Sequence, residues 1–455
     1  MRSNILARLV LVVVVLLLAS CAGARTTPTT QSEATSPVKT PKPTFTTALT
    51  ATTAAATATE APPTATVKPT DTSAPVATST GEQPTSEPTV TAVVPTSTLE
   101  PTAAPTAVST TSIRLNSPEY GMQAFLWWRP EVATRDLQKI KEAGFSWVKV
   151  NFGWRDIEGA GKGIYDWSHT DRIVEAATAE GLDLLVRIDH QPAWSSGGSE
   201  TNGPPSNLQD LADFLTAIAD RYQGRVRAWE VWNEPNLARE WGGQVPDPGA
   251  YVNMLKVAYG AIKTADPSAI VISAGLSPTE TWNNDARPDD WYLESMYIAM
   301  NSNSTGYFDV LGVHAPGYKS APETDPAVVA ADSNLGGQRA FCFRHVEDLR
   351  AIMVQYGDAN KQVAVLEFGW TSDSRPDSSY YWHAVSEETK ADYLVRAYQY
   401  AKANWSPWIS LMSLIYVSDP DWTEADEQYW WAISYPSYPN FEARPAYDAL
   451  KAMAK

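Results

Sequence analysis

Short apolar runs alternate with amphipathic stretches from residue 113 to the end of the chain. The apolar runs are almost continuous in β-branched and aliphatic residues, which is typical of strands buried on both faces of a parallel sheet. The stretches between them place apolar residues three and four positions apart, which indicates helices with one buried face. The pattern predicts eight strands, at residues 120–126, 146–152, 183–188, 226–231, 269–276, 309–313, 362–367 and 409–417.

Eight helices are predicted in alternation with these strands. The clearest carries an apolar stripe from Leu208 to Tyr222, with Asn207 as its N-cap and Gly224 as its stop. This alternation predicts an α/β protein, and eight units favour a closed (β/α)8 TIM barrel; a doubly wound open sheet is the alternative. The helices are expected at residues 131–143, 171–180, 208–222, 249–264, 289–300, 345–356, 386–403 and 445–454.

Residues 1–21 have the order of parts found in a secretory signal. Two arginines, Arg2 and Arg8, precede an apolar run that ends in small residues before Cys21. The run is short for a permanent membrane-spanning helix. Its Leu-Ala-Ser-Cys ending resembles the lipobox of bacterial lipoproteins, which implies cleavage before Cys21 and lipidation of its thiol. A plain signal peptide or an N-terminal anchor helix is the alternative.

Residues 22–112 are rich in Thr, Pro, Ala and Ser and have very few aromatic side chains. Such a segment cannot bury enough apolar surface to offset its chain entropy, so we predict a disordered linker. The catalytic domain is then expected at residues 113–455. Basic and acidic residues are equal in number before residue 113, so the formal net charge of −17 belongs to this domain. An acidic domain is a poor match for nucleic acid or an anionic membrane surface.

Two glutamates follow predicted strands four and seven. Glu234 lies where Pro235 ends the fourth strand, and Glu367 follows an apolar run just before Gly369. Barrel enzymes carry their chemistry at the C-terminal ends of the strands, so both carboxylates are expected at one barrel mouth. Glycoside hydrolysis requires a pair of carboxylates, one to protonate the leaving oxygen and one to attack the sugar or to activate water. A solvated acid or an ion-pair partner is the alternative for each glutamate taken alone.

The sequence Trp-Asn-Glu-Pro at 232–235, with Glu367 on strand seven, resembles clan A glycoside hydrolases. The resemblance implies a retaining mechanism with Glu234 as acid/base and Glu367 as nucleophile, and it implies that Asn233 binds the sugar 2-hydroxyl. Glu234 then needs a raised pKa and Glu367 must stay ionised. Residues 154–171 and 191–194 resemble families 39 and 5; a family 39-like member is preferred, and the choice between the two stays open. The Glu-Phe-Gly-Trp after strand seven departs from typical family 39 xylosidases.

Further substrate contacts are implied by the same resemblance. Relatives in the clan often carry a His or Tyr after strand six and a Trp after strand eight, which gives His314, Tyr318 and Trp422 here. Trp194 lies in a Pro-x-Trp segment after strand three. Aromatic faces suit the C–H faces of sugars. Packing beneath a loop is the alternative for each of these residues.

No metal site or cofactor is predicted. The five histidines have no ligand spacing, and the 419–423 segment begins like a calcium loop but lacks the necessary glycine. Cys342, between two phenylalanines, is expected to be a small buried hydrophobic residue.

The sequence therefore predicts a secreted retaining glycoside hydrolase that cleaves a β-linked polysaccharide or oligosaccharide. β-Xylosidase, endoglucanase and exopolysaccharide hydrolase types all stay open. An inactive barrel that binds carbohydrate at the cell surface is the alternative. We expect a monomer that is held on the outer face of the membrane only through a lipid at Cys21.

Overall fold

The computed structural model describes residues 114–455, in which eight parallel strands close into a barrel in chain order. The first and last strands pair in parallel, with Glu119 opposite Leu411, which closes the barrel and leaves it without an edge. The predicted (β/α)8 barrel is confirmed. Its strands are β1 Glu119–Gln123, β2 Trp147–Gly153, β3 Asp183–Asp189, β4 Ala228–Val231, β5 Ile270–Ser273, β6 Val310–His314, β7 Gln362–Phe368 and β8 Ile409–Leu414.

Long helices follow the strands and cover the outside of the barrel, and shorter ones lie in the loops at its mouth. A two-stranded sheet of β9 Ser434–Tyr435 and β10 Glu442–Ala443 precedes the last helix. The helices are α1 Pro130–Glu142, α2 Trp154–Glu158, α3 Ser168–Glu180, α4 Leu208–Arg221, α5 Pro248–Ala265, α6 Asp289–Ala299, α7 Pro326–Ala331, α8 Val346–Gln355, α9 Glu387–Asn404, α10 Glu427–Trp431 and α11 Pro445–Ala452.

Local sequence explains where the clearest helix begins and ends. The Asn207 side chain accepts a hydrogen bond from the Gln209 amide at the start of α4, as its sequence position predicted. Gly224 has a φ of 70° just after the helix, a conformation that glycine adopts without cost.

The interior of the barrel is filled in layers. Its lower part is apolar and contains Trp147, Leu185, Ala228 and Leu411, all buried. Side chains alternate along a strand, so the residues two positions after Trp147, Leu185 and Ala228 also point inward. In β2, β3 and β4 those residues are charged, which places a polar layer directly above the apolar one.

Three strands end earlier than their apolar runs predicted. The runs of β1, β5 and β8 continue to Leu126, Leu276 and Val417, and all three residues are buried. They lie in the loops that follow these strands, so their burial explains why the apolar pattern continues past the last strand residue. Cys342 is buried among Tyr318, Phe341 and their neighbours, and burial raises the pKa of its thiol to about 12.

The predicted signal peptide at 1–21, with Cys21, and the predicted linker at 22–112 lie outside the described residues. Within residues 114–455, no helix combines the length and the apolar character that crossing a bilayer requires.

Leu411→Ala tests the packing of the barrel interior. Leu411 is fully buried in the apolar layer, and a buried Leu→Ala change costs about 2–5 kcal/mol through lost burial and the cavity left behind. Equilibrium unfolding in urea measures this loss. Ile298→Ala, at a position that is 61% exposed on α6, is the matched control and should change stability by less than about 0.5 kcal/mol. Equal effects of the two changes would contradict the interior placement of Leu411.

Candidate active site

A strained turn after β4 presents Glu234 at the barrel mouth. Trp232 and Glu234 both have positive φ, 76° and 39°, a region that costs a non-glycine residue about 1–3 kcal/mol. The surrounding structure holds the turn: the Trp232 indole donates to the Glu240 carbonyl at 2.8 Å, and the Glu234 amide donates to the Gly275 carbonyl at 3.1 Å. The Glu234 side chain is buried in this position.

Asn236 fastens the same turn to the loop after β5. Its side-chain amide donates to the Ser277 carbonyl at 2.9 Å and accepts from the Ser277 amide at 2.9 Å. It also donates to the carbonyl of Arg287 at 3.0 Å. The last residue of the Trp-Asn-Glu-Pro-Asn segment therefore has a structural task, to fix the backbone that carries Glu234.

An irregularity in β7 turns Glu367 into the barrel. Ala364 and Leu366 both fill the interior, so regular alternation would direct the next side chain outward. The pairing of β6 with β7 shifts register at this point, and His314 lies opposite Glu367. Such irregularities re-aim side chains near active sites. The Glu367 carboxylate consequently reaches Lys149 at 3.3 Å and Arg187 at 3.0 Å.

His314 lies between the two glutamates. Its Nδ1 is 3.1 Å from Glu234 Oε1 and 4.0 Å from Glu367 Oε2. The ring can occupy this place because residue 275 is glycine: a Cβ there would lie 2.1 Å from the His314 ring. The two carboxylate oxygens nearest the imidazole are therefore at most about 7 Å apart, a limit that includes the ~5–5.5 Å separation of retaining glycosidases.

The charged layer beneath the glutamates is internally paired. Lys149 contacts Glu230 at 2.9 Å, and Arg187 contacts Asp189 at 3.1 Å. Arg187 also donates to the Asn233 side-chain oxygen at 2.8 Å. All of these groups are buried, and buried charges are tolerated where they are paired.

The charges around Glu367 keep its carboxylate ionised. Burial alone would raise its pKa, but His314, Lys149 and Arg187 outweigh burial and lower the pKa to about 2. The sequence prediction of an ionised Glu367 agrees with this environment.

The expectation that the pKa of Glu234 is raised is wrong for this structure. Burial acts in that direction, but the hydrogen bond with His314 and the charge of Arg239 outweigh burial and lower the pKa. Arg239 Nη2 lies 2.8 Å from Glu234 Oε2. The sequence did not point to this arginine, which lies in the loop five residues after Glu234.

The structure brings Asn233 and His314 to the glutamates and gives the other three predicted residues packing contacts. The Tyr318 hydroxyl donates to the Pro278 carbonyl at 3.2 Å. The Trp194 indole donates to the Glu158 carbonyl at 2.7 Å. Trp422 packs edge-on against an aromatic neighbour in the loop after β1, with ring centroids 4.7 Å apart. These contacts agree with the packing alternative and leave substrate binding by the three residues a prediction.

Sequence reasoning missed Lys149, Arg187 and Glu230, although a signal was present. Each lies directly between two apolar residues of a predicted strand run, and a charge at such a position must be paired inside the barrel. Within residues 114–455, no group of three or more His, Cys, Asp or Glu side chains is arranged to hold a metal ion.

Residues 104–410 match the family model described as Cellulase (glycosyl hydrolase family 5). The chain belongs to glycosyl hydrolase family 5. The match covers more than half of the chain and contains both glutamates. The sequence left open whether the chain belongs to family 39 or to family 5, and this match shows family 5.

Curated relatives of this family 5 protein match over shorter segments. A β-xylosidase from Geobacillus stearothermophilus is 29% identical over 126 residues, 25% of this chain and 25% of the relative. Endo-1,4-beta-xylanase C from Phanerodontia chrysosporium is 28% identical over 113 residues, 24% of this chain and 28% of the relative. The matches therefore span only about a quarter of these relatives.

Solved structures share the fold over a longer part of the chain. A family 39 glycoside hydrolase from Bacteroides cellulosilyticus WH2 has a TM-score of 0.52 at 19% identity, covering 74% of this chain and 64% of that one. GH5_18 from Streptomyces cattleya, in complex with GlcNAc, has a TM-score of 0.54 at 15% identity, covering 74% of this chain and 79% of that one. At these identities the likeness shows the barrel fold.

Lys149→Met tests the electrostatic origin of the Glu367 pKa. Removal of a cation 3.3 Å from the carboxylate should raise that pKa from about 2 by roughly one unit or more. An NMR titration of glutamate labelled at its carboxyl carbon measures the change without any substrate. Lys149→Arg keeps the charge and should largely preserve the low pKa. Lys162→Met, which removes an exposed lysine paired with Asp210, is the control and should leave Glu367 unchanged. A pKa still near 2 in Lys149→Met would contradict the assignment.

Proposed function

We propose that this family 5 protein is a retaining glycoside hydrolase that cleaves β-linked polysaccharides or oligosaccharides. The observation that carries the proposal is the pair of buried glutamates at the ends of β4 and β7, with one histidine between them. Glu367 is the nucleophile and Glu234 is the acid/base.

The first step forms a covalent glycosyl-enzyme. The ionised Glu367 carboxylate attacks the anomeric carbon, and the bond from that carbon to the glycosidic oxygen breaks. Protonated Glu234 gives its proton to the departing oxygen, so the leaving group departs as a neutral alcohol. The cations around Glu367 keep it ionised before the attack, as its low pKa requires.

The second step reverses the first with water as the nucleophile. Glu234, now a carboxylate, takes a proton from water, and the water oxygen attacks the anomeric carbon. The ester bond to Glu367 breaks and the carboxylate is regenerated. Two inversions at one carbon give a product that retains the configuration of the substrate.

The contact between Arg187 and both Asn233 and Glu367 supports a shared orientation of these groups. Arg187 donates to the Asn233 side-chain oxygen at 2.8 Å and contacts Glu367 at 3.0 Å. The Asn233 amide nitrogen then faces away from the guanidinium and is available to donate to the sugar 2-hydroxyl. Such hydrogen bonds strengthen in the transition state and lower the barrier.

β-Linked xylose substrates are the first to test. The curated relatives include a β-xylosidase and an endo-1,4-beta-xylanase. The three aromatic residues Trp194, Tyr318 and Trp422, in the loops after β3, β6 and β8, are proposed to contact the sugar. The acidic charge of the chain suits a neutral carbohydrate.

We further propose that the protein is secreted and held on the outer face of the membrane by a lipid at Cys21. The support is the order of residues 1–21 and their small-residue ending before the cysteine. Residues 22–112 would then separate the barrel from the membrane.

Cys21→Ala tests the anchor. The change should abolish incorporation of labelled palmitate and release active protein into the medium, because the thiol that receives the lipid is gone. Cys342→Ala is the control, since the Cys342 thiol is buried and its pKa is raised to about 12. Palmitate labelling that persists in Cys21→Ala would rule out the proposed anchor.

Glu367→Ala tests the assignment of the nucleophile. The change should reduce turnover of dinitrophenyl β-xyloside by about 10⁴-fold or more, because no covalent intermediate can form. A fluorinated xyloside should label Glu367 in the wild type, and mass spectrometry locates the label.

Azide added to Glu234→Ala should restore turnover and give the β-glycosyl azide.

Glu175→Ala, at an exposed position on α3, is the matched control and should leave turnover unchanged. Near-normal rates in Glu367→Ala would refute the nucleophile assignment. Binding of xylo-oligosaccharides with neither hydrolysis nor labelling would support an inactive carbohydrate-binding barrel instead.

A further inference from the structure

The salt bridge from Arg239 conflicts with the task of an acid. Arg239 Nη2 is 2.8 Å from Glu234 Oε2, and it favours the ionised carboxylate. An acid must carry a proton on an oxygen that faces the glycosidic oxygen. His314 contacts one Glu234 oxygen and Arg239 contacts the other, so a protonated oxygen that faces the substrate requires one of these contacts to be given up.

Of the two partners, Arg239 is the one with room to leave. Its side chain is 31% exposed, while that of His314 is 2% exposed and close-packed against Gly275. Arg239 lies in the short helical turn Ala238–Glu240, whose backbone is fixed by the Ala238 amide donating to the Asp285 carbonyl at 2.8 Å. Movement of the guanidinium therefore requires side-chain rotation over a fixed backbone.

A second carboxyl is placed to receive the guanidinium. Glu427, the first residue of α10, interacts electrostatically with both Arg239 and Glu234, and it is hydrogen-bonded to Tyr380. Within residues 114–455 its Oε1 is buried without a hydrogen-bond partner. Glu240 is also near Arg239: its Oε1 lies 3.7 Å from Arg239 Nε, while its Oε2 accepts from the Asn202 side chain at 2.5 Å. Of these two carboxyls, both in the described part of the chain, Glu427 is the one with a buried oxygen that lacks a hydrogen bond, so we take it as the acceptor.

The protonation of Glu427 complements that of Glu234. Burial and the charge of Glu234 raise the pKa of Glu427 to about 8, against the opposing effects of Tyr380 and Arg239, so that it is protonated at neutral pH. Glu234, with its lowered pKa, is ionised at the same pH. At neutral pH the proton is therefore on Glu427, whereas the acid role requires a proton on Glu234.

We propose that Arg239 and Glu427 are positioning residues for Glu234. When substrate binds, the ion pair of Arg239 changes from Glu234 to Glu427, while the proton changes from Glu427 to Glu234. Arg239 leaves Glu234 for Glu427; Glu427 gives up one proton and Glu234 takes up one, so the proton count and net charge of the three residues are unchanged. The proposal rests on the proposed acid/base function of Glu234.

Energetic balance favours an exchange over simple departure of the arginine. A buried carboxylate that loses its partner is strongly destabilised, whereas an exchange keeps one paired carboxylate and one neutral carboxyl throughout. The titratable groups that face Glu234, Arg239 or Glu427 are Glu240 after β4, His314 and Tyr318 at and after β6, and Glu367, Asp373 and Tyr380 at and after β7. Asp189 and His190, at the end of β3, in turn face Glu240.

Arg239→Gln and Glu427→Gln, with pH profiles on two substrates, test the exchange. Phenyl β-xyloside needs acid assistance to release phenol, whereas dinitrophenyl β-xyloside hardly does. In Arg239→Gln the basic limb of kcat/KM for phenyl β-xyloside should move up by about 1–2 pH units, because that limb reports the free enzyme. Arg239→Lys should restore part of the wild-type profile.

Glu427→Gln leaves Arg239 without its receiving carboxylate. It should lower kcat for phenyl β-xyloside about 10-fold or more while sparing dinitrophenyl β-xyloside, as loss of acid assistance alone predicts. The double variant should behave like Arg239→Gln, because Glu427 matters only while Arg239 is present. Arg287→Gln, on the neighbouring loop with its guanidinium over the Trp282 ring, is the control and should leave the profiles unchanged.

Additive effects in the double variant, or equal losses on the two substrates, would overturn the exchange. NMR titration of Glu234 gives a readout without turnover: its pKa should rise in Arg239→Gln, and a bound thioxyloside should raise it in the wild type but not in Glu427→Gln. Wild-type protein that neither hydrolyses nor is labelled by a fluorinated xyloside would defeat the proposed function. Labelled, active wild type with an unchanged Glu234 pKa in Arg239→Gln would defeat only the exchange.

Discussion

The structure depends on the pairing of charges inside the barrel mouth. Lys149 and Arg187 contact Glu230, Glu367 and Asp189, and none of these groups is open to water. Each would be expensive to bury alone, because an unpaired charge loses its hydration and gains nothing in return. The strands must therefore keep a register that matches cation to anion, and the apolar layer below provides the rigid base for that register.

The same charge pairing gives the two glutamates different environments. Glu367 lies against two cations rooted in the strands, which cannot leave without disrupting the barrel. Glu234 lies against His314 and against Arg239, which sits in a loop at the edge of the site. In the proposed mechanism the nucleophile must be ionised before each attack, whereas the acid/base must change its protonation in each half of the reaction. A fixed cationic partner suits a nucleophile, and a partner that can move away suits an acid/base.

The positions of the strands, most helices and the two glutamates were readable in the sequence because each depends on local pattern. Buried strands need continuous apolar runs, the cap of α4 needs Asn207, and barrel enzymes place their chemistry where strands end. Three strands were predicted too long because Leu126, Leu276 and Val417 are apolar for burial in loops. A pattern of burial alone cannot separate a strand from a buried loop.

The sequence by itself determined a (β/α)8 barrel with Glu234 and Glu367 at one mouth, because periodicity and strand order fix which ends meet. Only the tertiary structure decided the charge state of Glu234. That state depends on Arg239 and His314, which reach the carboxylate from separate loops and strands, and on Gly275, which leaves space for the imidazole. The pKa of a buried group follows from neighbours within a few ångströms in space, and position along the chain does not specify those neighbours.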